Sequence, residues 1–320
     1  MAVSPSANYT TNVVDVPLLG SLVGTEWITQ SVLLTSGAMY HDSRPLDYGT
    51  NTVNIRREIF ERTSGQAPAS DGTISFRDIK DTEYRSPIFV RADGANILTL
   101  QGVISAGGVI DYNQLSANVS AKAAYMLDES AVKVVEGVGG IATASGSDAT
   151  ATLALLNTAR WSRGDKGNQF MNGHFFCRSE LMATLFGLGV VAPTSNTWGL
   201  SEGGKFSMLG QIPMIQGMTA HVSNKISLVG GVNHYAYMIE PGAIIHRGGE
   251  TPTIEVAKIP DGFGTRIMFY IRAALGFQGA GWTGESDVIT DTDLSTAANW
   301  ALKAAVTADI KMVRWETDDD

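Results

Sequence analysis

Apolar positions recur most regularly between Tyr112 and Glu136, where Leu115, Val119, Ala123, Met126 and Val134 stand at multiples of three and four residues. That spacing predicts a helix with a single apolar stripe, N-capped by Asp111, stopped by Gly137, and about 37 Å long at about 1.5 Å per residue. A Gly/Ala/Ser linker follows, and then a second predicted helix from about Ala149 to Trp161 behind Asp148 as its cap. Phe170 to Cys177 reads as a strand, and Ser179 opens a short helix through Leu181, Leu185 and Phe186 that ends at Gly187.

From Val191 to Gly231 the chain is rich in Gly, Ser, Thr and Asn, with short apolar pieces such as Ile212-Pro213-Met214-Ile215. Strands are expected at His234 to Ile239, Thr253 to Lys258 and Thr265 to Phe277, then a helix from Thr296 to Val306 capped by Ser295, and a last strand from Ile310 to Trp315. A long helix with scattered strands and no βαβ rhythm points to the α+β class, and no internal repeat is present.

Charge is concentrated before the long helix. Between Asn51 and Asp93 stand seven basic residues (Arg56, Arg57, Arg62, Arg77, Lys80, Arg85, Arg91) and seven acidic ones (Glu58, Glu61, Asp71, Asp78, Asp81, Glu83, Asp93). A segment with both signs interleaved cannot be core. Val53, Ile55 and Ile59 on one side, and Ile74, Phe76 and Ile79 on the other, flank the turn-rich stretch from Ser64 to Gly72, so the segment reads as a long projecting β-hairpin. An isolated two-stranded ribbon is marginal in water, so it needs a surface to lie on. We expect that surface on an adjacent subunit, with Arg56, Arg57, Glu58, Glu61, Arg62, Arg77, Asp78 and Lys80 at the contact.

Composition extends that picture. The 320 residues carry 17% charged side chains beside 44% hydrophobic ones, and the mean hydropathy is +0.03. An ordinary soluble domain has about 25% charged residues, so much of this surface is expected to be covered by other subunits. No apolar run approaches the roughly 20 residues needed to span a bilayer, and the start has neither a basic nor an apolar signal region. The lone Cys177 cannot form an internal disulfide, which suits a reducing compartment. A net charge of -9 argues against a protein that grips phosphates, and any contact with nucleic acid should be non-specific.

Three motifs invite enzyme readings. Gly279-Ala280-Gly281-Trp282-Thr283-Gly284 matches G-x-G-x-x-G after a predicted strand, but the expected helix begins near Thr296, a dozen residues too late to hold a pyrophosphate. It reads as a glycine-rich turn. Gly137-Val138-Gly139-Gly140 is a weaker version, read as the helix end running into a flexible linker. Gly199-Leu200-Ser201-Glu202-Gly203 matches a nucleophile elbow without the strand and helix that such a serine needs, and reads as a surface loop. The five histidines show no zinc spacing, and His174 and Cys177, three apart on a strand, face opposite sides. No catalytic residue, cofactor or metal site is expected. The acidic end, Glu316 to Asp320, reads as a solvated terminus or an interaction tail.

The order of elements is then the informative feature. From roughly Tyr48 to the end the sequence resembles the major capsid proteins of tailed bacteriophages with the Hong Kong 97 type fold. Gly49-Thr50-Asn51-Thr52-Val53-Asn54-Ile55 entering the charged hairpin is similar to that family's extended loop, and Tyr112 to Glu136 to its spine helix. His174-Phe175-Phe176-Cys177-Arg178-Ser179-Glu180-Leu181 is similar to a strand and short helix of its axial domain. Met208 to Ile215, Arg266 to Phe277, and Asn299-Trp300 before Asp309 to Trp315 resemble a strand after a mobile loop, a long peripheral strand, and the closing helix and strand.

The resemblance implies an N-terminal arm over 1–50, an extended hairpin over 51–94, a peripheral domain over 95–144 and 251–282, and an axial domain over 145–250 and 283–320. It implies a non-enzymatic coat subunit that forms the hexamers and pentamers of an icosahedral virion, assembled in the host bacterial cytoplasm around double-stranded DNA. The implied partners are further copies, a portal and a decoration protein. Too little chain precedes the hairpin for the cleaved scaffolding segment of some relatives, which implies a separate scaffolding protein or none. Lys80 is the hairpin's single lysine, and no cross-link of the kind some relatives make is inferred from it. Two alternatives stay open: a cellular compartment shell of the same fold, and an enzyme using the Ser201 loop or the glycine turn.

Overall fold

A computed structural model of the chain describes residues 16–24, 26–46, 50–59, 80–98, 112–164, 167, 170, 172–187, 191–193, 213–228, 234–248, 251–258, 264–303 and 310–318. The chain opens with α1 (Val16–Val23), a 3-10 turn (Glu26–Gln30), α2 (Val32–Thr35) and β1 (Met39–Asp42). β2 (Thr52–Ile59) and β3 (Lys80–Leu98) precede the long helix α3 (Tyr112–Gly139), and β4 (Thr143–Thr150), α4 (Leu153–Trp161), β5 (His174–Cys177) and α5 (Ser179–Gly187) follow it. Then come β6 (Val191–Pro193), β7 (Pro213–Ile215), β8 (Met218–Val222), β9 (His234–Ile239), β10 (Ile244–Gly248), β11 (Thr253–Lys258) and β12 (Gly264–Phe277). The chain closes through β13 (Ala280–Trp282), α6 (Asp291–Ser295), a 3-10 turn (Ala297–Asn299), β14 (Trp300–Leu302) and β15 (Met312–Asp318).

These elements form two sheets. The first is built on β12, which pairs antiparallel with β3, β10, β11 and β13, with β1 parallel to β10 and β14 beside β13. Along β12 the side chains alternate: Ile267, Phe269 and Ile271 are buried while Arg266 and Met268 are exposed. The buried face packs against α3, whose Val119, Ala123, Leu127, Val134, Val135 and Val138 share one core with it. The second sheet runs β4-β15-β9-β5-β8-β7-β6 and buries Phe175, Met218, Met238 and Trp315 under α4 and α5.

The expected hairpin, short helix at Ser179, and strands at 234–239, 253–258 and 265–277 are present at those positions, and the α+β class holds. Four expectations change. Helix α3 runs on to Gly139, so Gly137 is not its stop. A Cβ at Gly137 would overlap the Leu294 carbonyl oxygen and lie 2.6 Å from the Trp300 indole Nε1, so this glycine permits a close helix contact. The supposed linker after it contains β4, held parallel to β15 from the chain's far end. Helix α4 therefore starts late, and Thr152 rather than Asp148 caps it, its side chain accepting from the Leu155 N–H at 3.2 Å.

The helix expected at 296–306 is displaced toward the N-terminus. Thr290 and Asp293 form a capping box for α6, Ser295 stands at its end, and Trp300 belongs to a strand paired with Trp282. Local signals placed the helix on good helix formers, whereas the strand partner across the β12–β13 turn claims the segment. Between β7 and β8, Gln216 and Gly217 both have positive φ, 50° and 84°, the two-residue hairpin turn that matches strand twist. The Asp111 cap and residues 208–212 lie outside the described residues.

In a helix interior, Gly→Ala ordinarily gains about 1 kcal/mol. At Gly137 the overlap with fixed backbone outweighs that, so Gly137→Ala should lower stability by about 1 to 3 kcal/mol. Urea unfolding followed by circular dichroism, with an unchanged m-value, is the measurement.

Candidate functional site

The charged hairpin divides into a root and an outer part. β2 and β3 pair in register from Thr52↔Pro87 to Ile59↔Lys80. At the root, Val53, Ile55, Tyr84 and Ile88 are buried with Leu46, Ile245 and Ala274 in a small core of their own. A Cβ on Gly276 would overlap the Ser86 hydroxyl, so the ribbon lies directly on β12. Arg247 of β10 ties the same corner: its guanidinium donates to the Pro45 carbonyl at 2.6 and 3.0 Å and to the Asn54 carbonyl at 3.4 Å. The root therefore rests on its own subunit, where the sequence reading placed the supporting surface on a neighbour.

Arg56, Arg57, Glu58 and Lys80 lie on the outer half of the paired strands, with Arg56 opposite Glu83 and Glu58 opposite Asp81 in the register. Glu61, Arg62, Arg77 and Asp78 lie outside the described residues, as do Ile74, Phe76 and Ile79.

β3 continues past the ribbon into the first sheet and is anchored there. Arg91 donates to the Asp291 carboxylate at 2.6 and 3.1 Å and to the Ile289 carbonyl at 2.8 Å, while Ser130 of α3 donates to the same carboxylate at 3.1 Å. The outward face of β3 and β12 presents exposed Val90 and Met268, and Ala92, Asp93, Gly94, Arg266 and Tyr270 line a groove of about 440 Å³ beside them. This is an apolar surface with a charged rim, the composition of a contact patch.

Polar ties invisible in the sequence fix the remaining elements. Asp128 of α3 accepts from the Ser31 hydroxyl at 2.6 Å and the Val32 N–H at 2.9 Å, holding the start of α2; burial nevertheless pushes its carboxyl above the usual range. Glu240, only 2% exposed, meets Lys311 at 2.6 Å and Arg163 at 3.5 Å. Their partners lie at least 96 and 71 residues away, so no local spacing announces them.

The enzyme motifs resolve into structure or fall outside it. Gly279, with φ 95°, turns β12 into β13, and a Cβ on Gly281 would meet the Lys303 side chain at 2.8 Å, so the glycines serve a tight hairpin. Gly139 and Gly140, expected in a flexible linker, instead face Tyr237 and Ala297 at distances too short for a Cβ. The Ser201 motif lies outside the described residues. Among the described residues no group of three metal-ligating side chains occurs, and no helix is long and apolar enough to cross a membrane. His174 pairs with His221 instead of Cys177, their Nδ1 and Nε2 atoms 3.0 Å apart.

Cys177 is fully buried in the second core, and burial pushes its thiol up to about 12. At about pH 8 the thiolate fraction is then on the order of one in ten thousand. Iodoacetamide should leave the native chain unlabelled and label it fully once denatured, which mass spectrometry reads directly. Native labelling at the unfolded rate would contradict the burial.

No protein-family model and no curated protein sequence matches this chain. Solved structures do. A capsid structure of Helicobacter pylori bacteriophage KHP30 aligns at TM-score 0.51 and 10% identity over 88% of this chain and 86% of that one. A structure from Mycobacterium phage Che8 aligns at TM-score 0.46 and 14% identity over 83% and 84%. The holo-SrpI encapsulin complex of Synechococcus elongatus PCC 7942 aligns at TM-score 0.45 and 9% identity over 91% and 88%. With the long helix, the hairpin and the two sheets in the order described, the chain has the fold of the KHP30 capsid protein, the Hong Kong 97 type capsid fold.

Proposed function

We propose that this chain is the major capsid protein of a tailed bacteriophage, assembling into hexamers and pentamers of an icosahedral shell around double-stranded DNA. The observation that carries the reading is the shared fold with the KHP30 capsid over nearly the whole of both chains. The low charged fraction and the exposed apolar face of β3 and β12 support it, because both describe a surface made to be covered. The division into an arm, an extended hairpin, a peripheral part and an axial part belongs to the same proposal. So do a portal, a separate scaffolding protein and any decoration protein as partners, the virion as location, and a structural rather than catalytic role.

The hairpin is the proposed grip between neighbours. Its root is tied down within the subunit, and its outer half carries Arg56, Arg57, Glu58 and Lys80 toward the segment containing Glu61, Arg62, Arg77 and Asp78. Each exposed ion pair contributes no more than about 1 kcal/mol, but repetition around a closed shell multiplies small terms. Replacing residues 61–73 with a short Gly-Ser turn should leave circular dichroism and solubility nearly unchanged while assembly is lost or becomes aberrant. Electron micrographs of the purified protein, with and without scaffold, read the outcome. Normal shells from the shortened chain would place the grip elsewhere. Shells that enclose an enzyme instead of DNA would favour the compartment reading.

Between Gly281 and Asp320 stand nine acidic and three basic residues, a net -6. A container that packs DNA without gripping it has no use for tight subunit binding. Gel-shift measurements at physiological salt should therefore show no submicromolar affinity of the free subunit for duplex DNA.

A further inference from the structure

Four of the five histidines form two imidazole pairs, and both pairs touch one short stretch of chain. His41 on β1 meets His246 on β10, Nδ1 to Nδ1 at 3.0 Å, with the rings stacked at 5.0 Å. His174 on β5 meets His221 on β8, and His221 also stacks on Phe176 at 4.8 Å. The second pair reaches the same stretch from the other sheet: the Ser36 hydroxyl lies 3.5 Å from His221 Nε2, and His174 is hydrogen-bonded to the Gly37 backbone. The Gly37 carbonyl also accepts from the Gly242 N–H at 2.8 Å. Residues 36–42 thus bridge the second sheet, through Ser36 and Gly37, and the first sheet, through His41.

We propose that the two imidazole pairs form an acid-released clasp on the segment from Ser36 to Asp42, which ties the segment to both sheets while the rings are neutral and lets it go when they are protonated. Each pair holds one N–H pointing at one bare nitrogen, so the accepting ring must be uncharged for the bond to exist. A proton on the bare nitrogen sets two N–H groups face to face and places charge where water is excluded. His246, His174 and His221 are all buried, and His41 is half-buried.

The groups around each pair do not rescue the charged form. Beside the first stands Asp42, which favours a cation, but its carboxylate is already engaged by Arg44 at 2.7 Å and lies near Arg247. Around the second stand the Ser36 hydroxyl, the Gly37 backbone and the Phe176 ring, all uncharged; the Gly37 hydrogen bond favours a charged His174, but less than burial opposes it. Burial accordingly lowers His174 to about 4 and His221 and His246 to about 3, with His174 adding to the effect on His221 and His41 to that on His246, and burial lowers His41 as well.

The sign follows from these directions. A detached imidazole titrates near about 6.5, so above that pH the clasp is fully favoured. As pH falls from about 6.5 toward 4 and then 3, the detached state takes up protons that the attached state refuses. Each ring that becomes free then favours release by up to about tenfold per pH unit.

Hydrogen exchange with mass spectrometry on the full chain, at a series of pH values from about 7 downward and corrected for intrinsic rates, tests the clasp. Peptides covering 31–46 should lose protection by about tenfold or more per pH unit in this window, while β15 and α3 keep theirs. Unchanged protection of 31–46, or simultaneous loss in β15 and α3, would overturn the proposal, the latter because the pairs would then guard the whole fold. The double variant His174→Gln with His221→Gln, whose amides bond without titrating, should flatten the pH dependence; an unaltered profile also overturns it. Should that variant not fold, imidazole titration of the unaltered chain by nuclear magnetic resonance decides. Midpoints of His174, His221 and His246 well below the ordinary value support the clasp, and an ordinary midpoint near about 6.5 for any of them refutes it.

Discussion

The close approach of one long helix to everything around it is the constraint on which the structure rests. Helix α3 spans 28 residues, about 42 Å at about 1.5 Å per residue, and its buried face is made largely of small side chains. Ala123, Ala131, Gly137 and Gly139 let β12, the α6 region and Tyr237 come nearer than larger residues would permit. Glycine inside a helix ordinarily destabilises it, so these positions are stable only because tertiary contacts fill the space the missing side chains leave. The first sheet, the strand carrying Trp300, and β9 and β15 of the second sheet all take their positions from that contact.

Polar ties then fix what packing leaves free. Arg91 with Asp291 and Ser130, Asp128 with the start of α2, and Glu240 with Lys311 and Arg163 each join segments distant in sequence. Such ties contribute little net stability when intact. At the buried Glu240, however, removing a partner costs about 3 to 5 kcal/mol, because its charge is stranded out of water. They therefore act as alignment pins more than as glue. The ribbon's root shows the same division, pinned by Arg247 and resting on a small apolar core.

Much of the architecture was legible in the residues because its signals are local. The stripe from Leu115 to Val134 specifies α3, the β-branched and aromatic run from Ile267 to Ile271 specifies β12, Ser179 and Gly187 bound α5, and apolar pieces on either side of a turn-rich stretch mark the paired strands of the ribbon. Each of these depends on neighbours within a few positions, where propensity and burial agree.

What only the tertiary structure decided depends on partners far along the chain. Residues 143–150 carry small and polar side chains that suit a linker, and become a strand because β15 arrives beside them. Trp300 leaves the expected helix because Trp282 offers a strand edge. Gly137 looks like a terminator and is instead a contact point, since a glycine's missing side chain reads the same in either role until the Leu294 backbone lies against it. The histidine pairs are the extreme case: rings 205 and 47 residues apart meet at 3.0 Å. Sequence determines which side chains can hydrogen-bond, but a hydrogen bond acts only over about 3 Å, and only the folded chain sets which of them come that close.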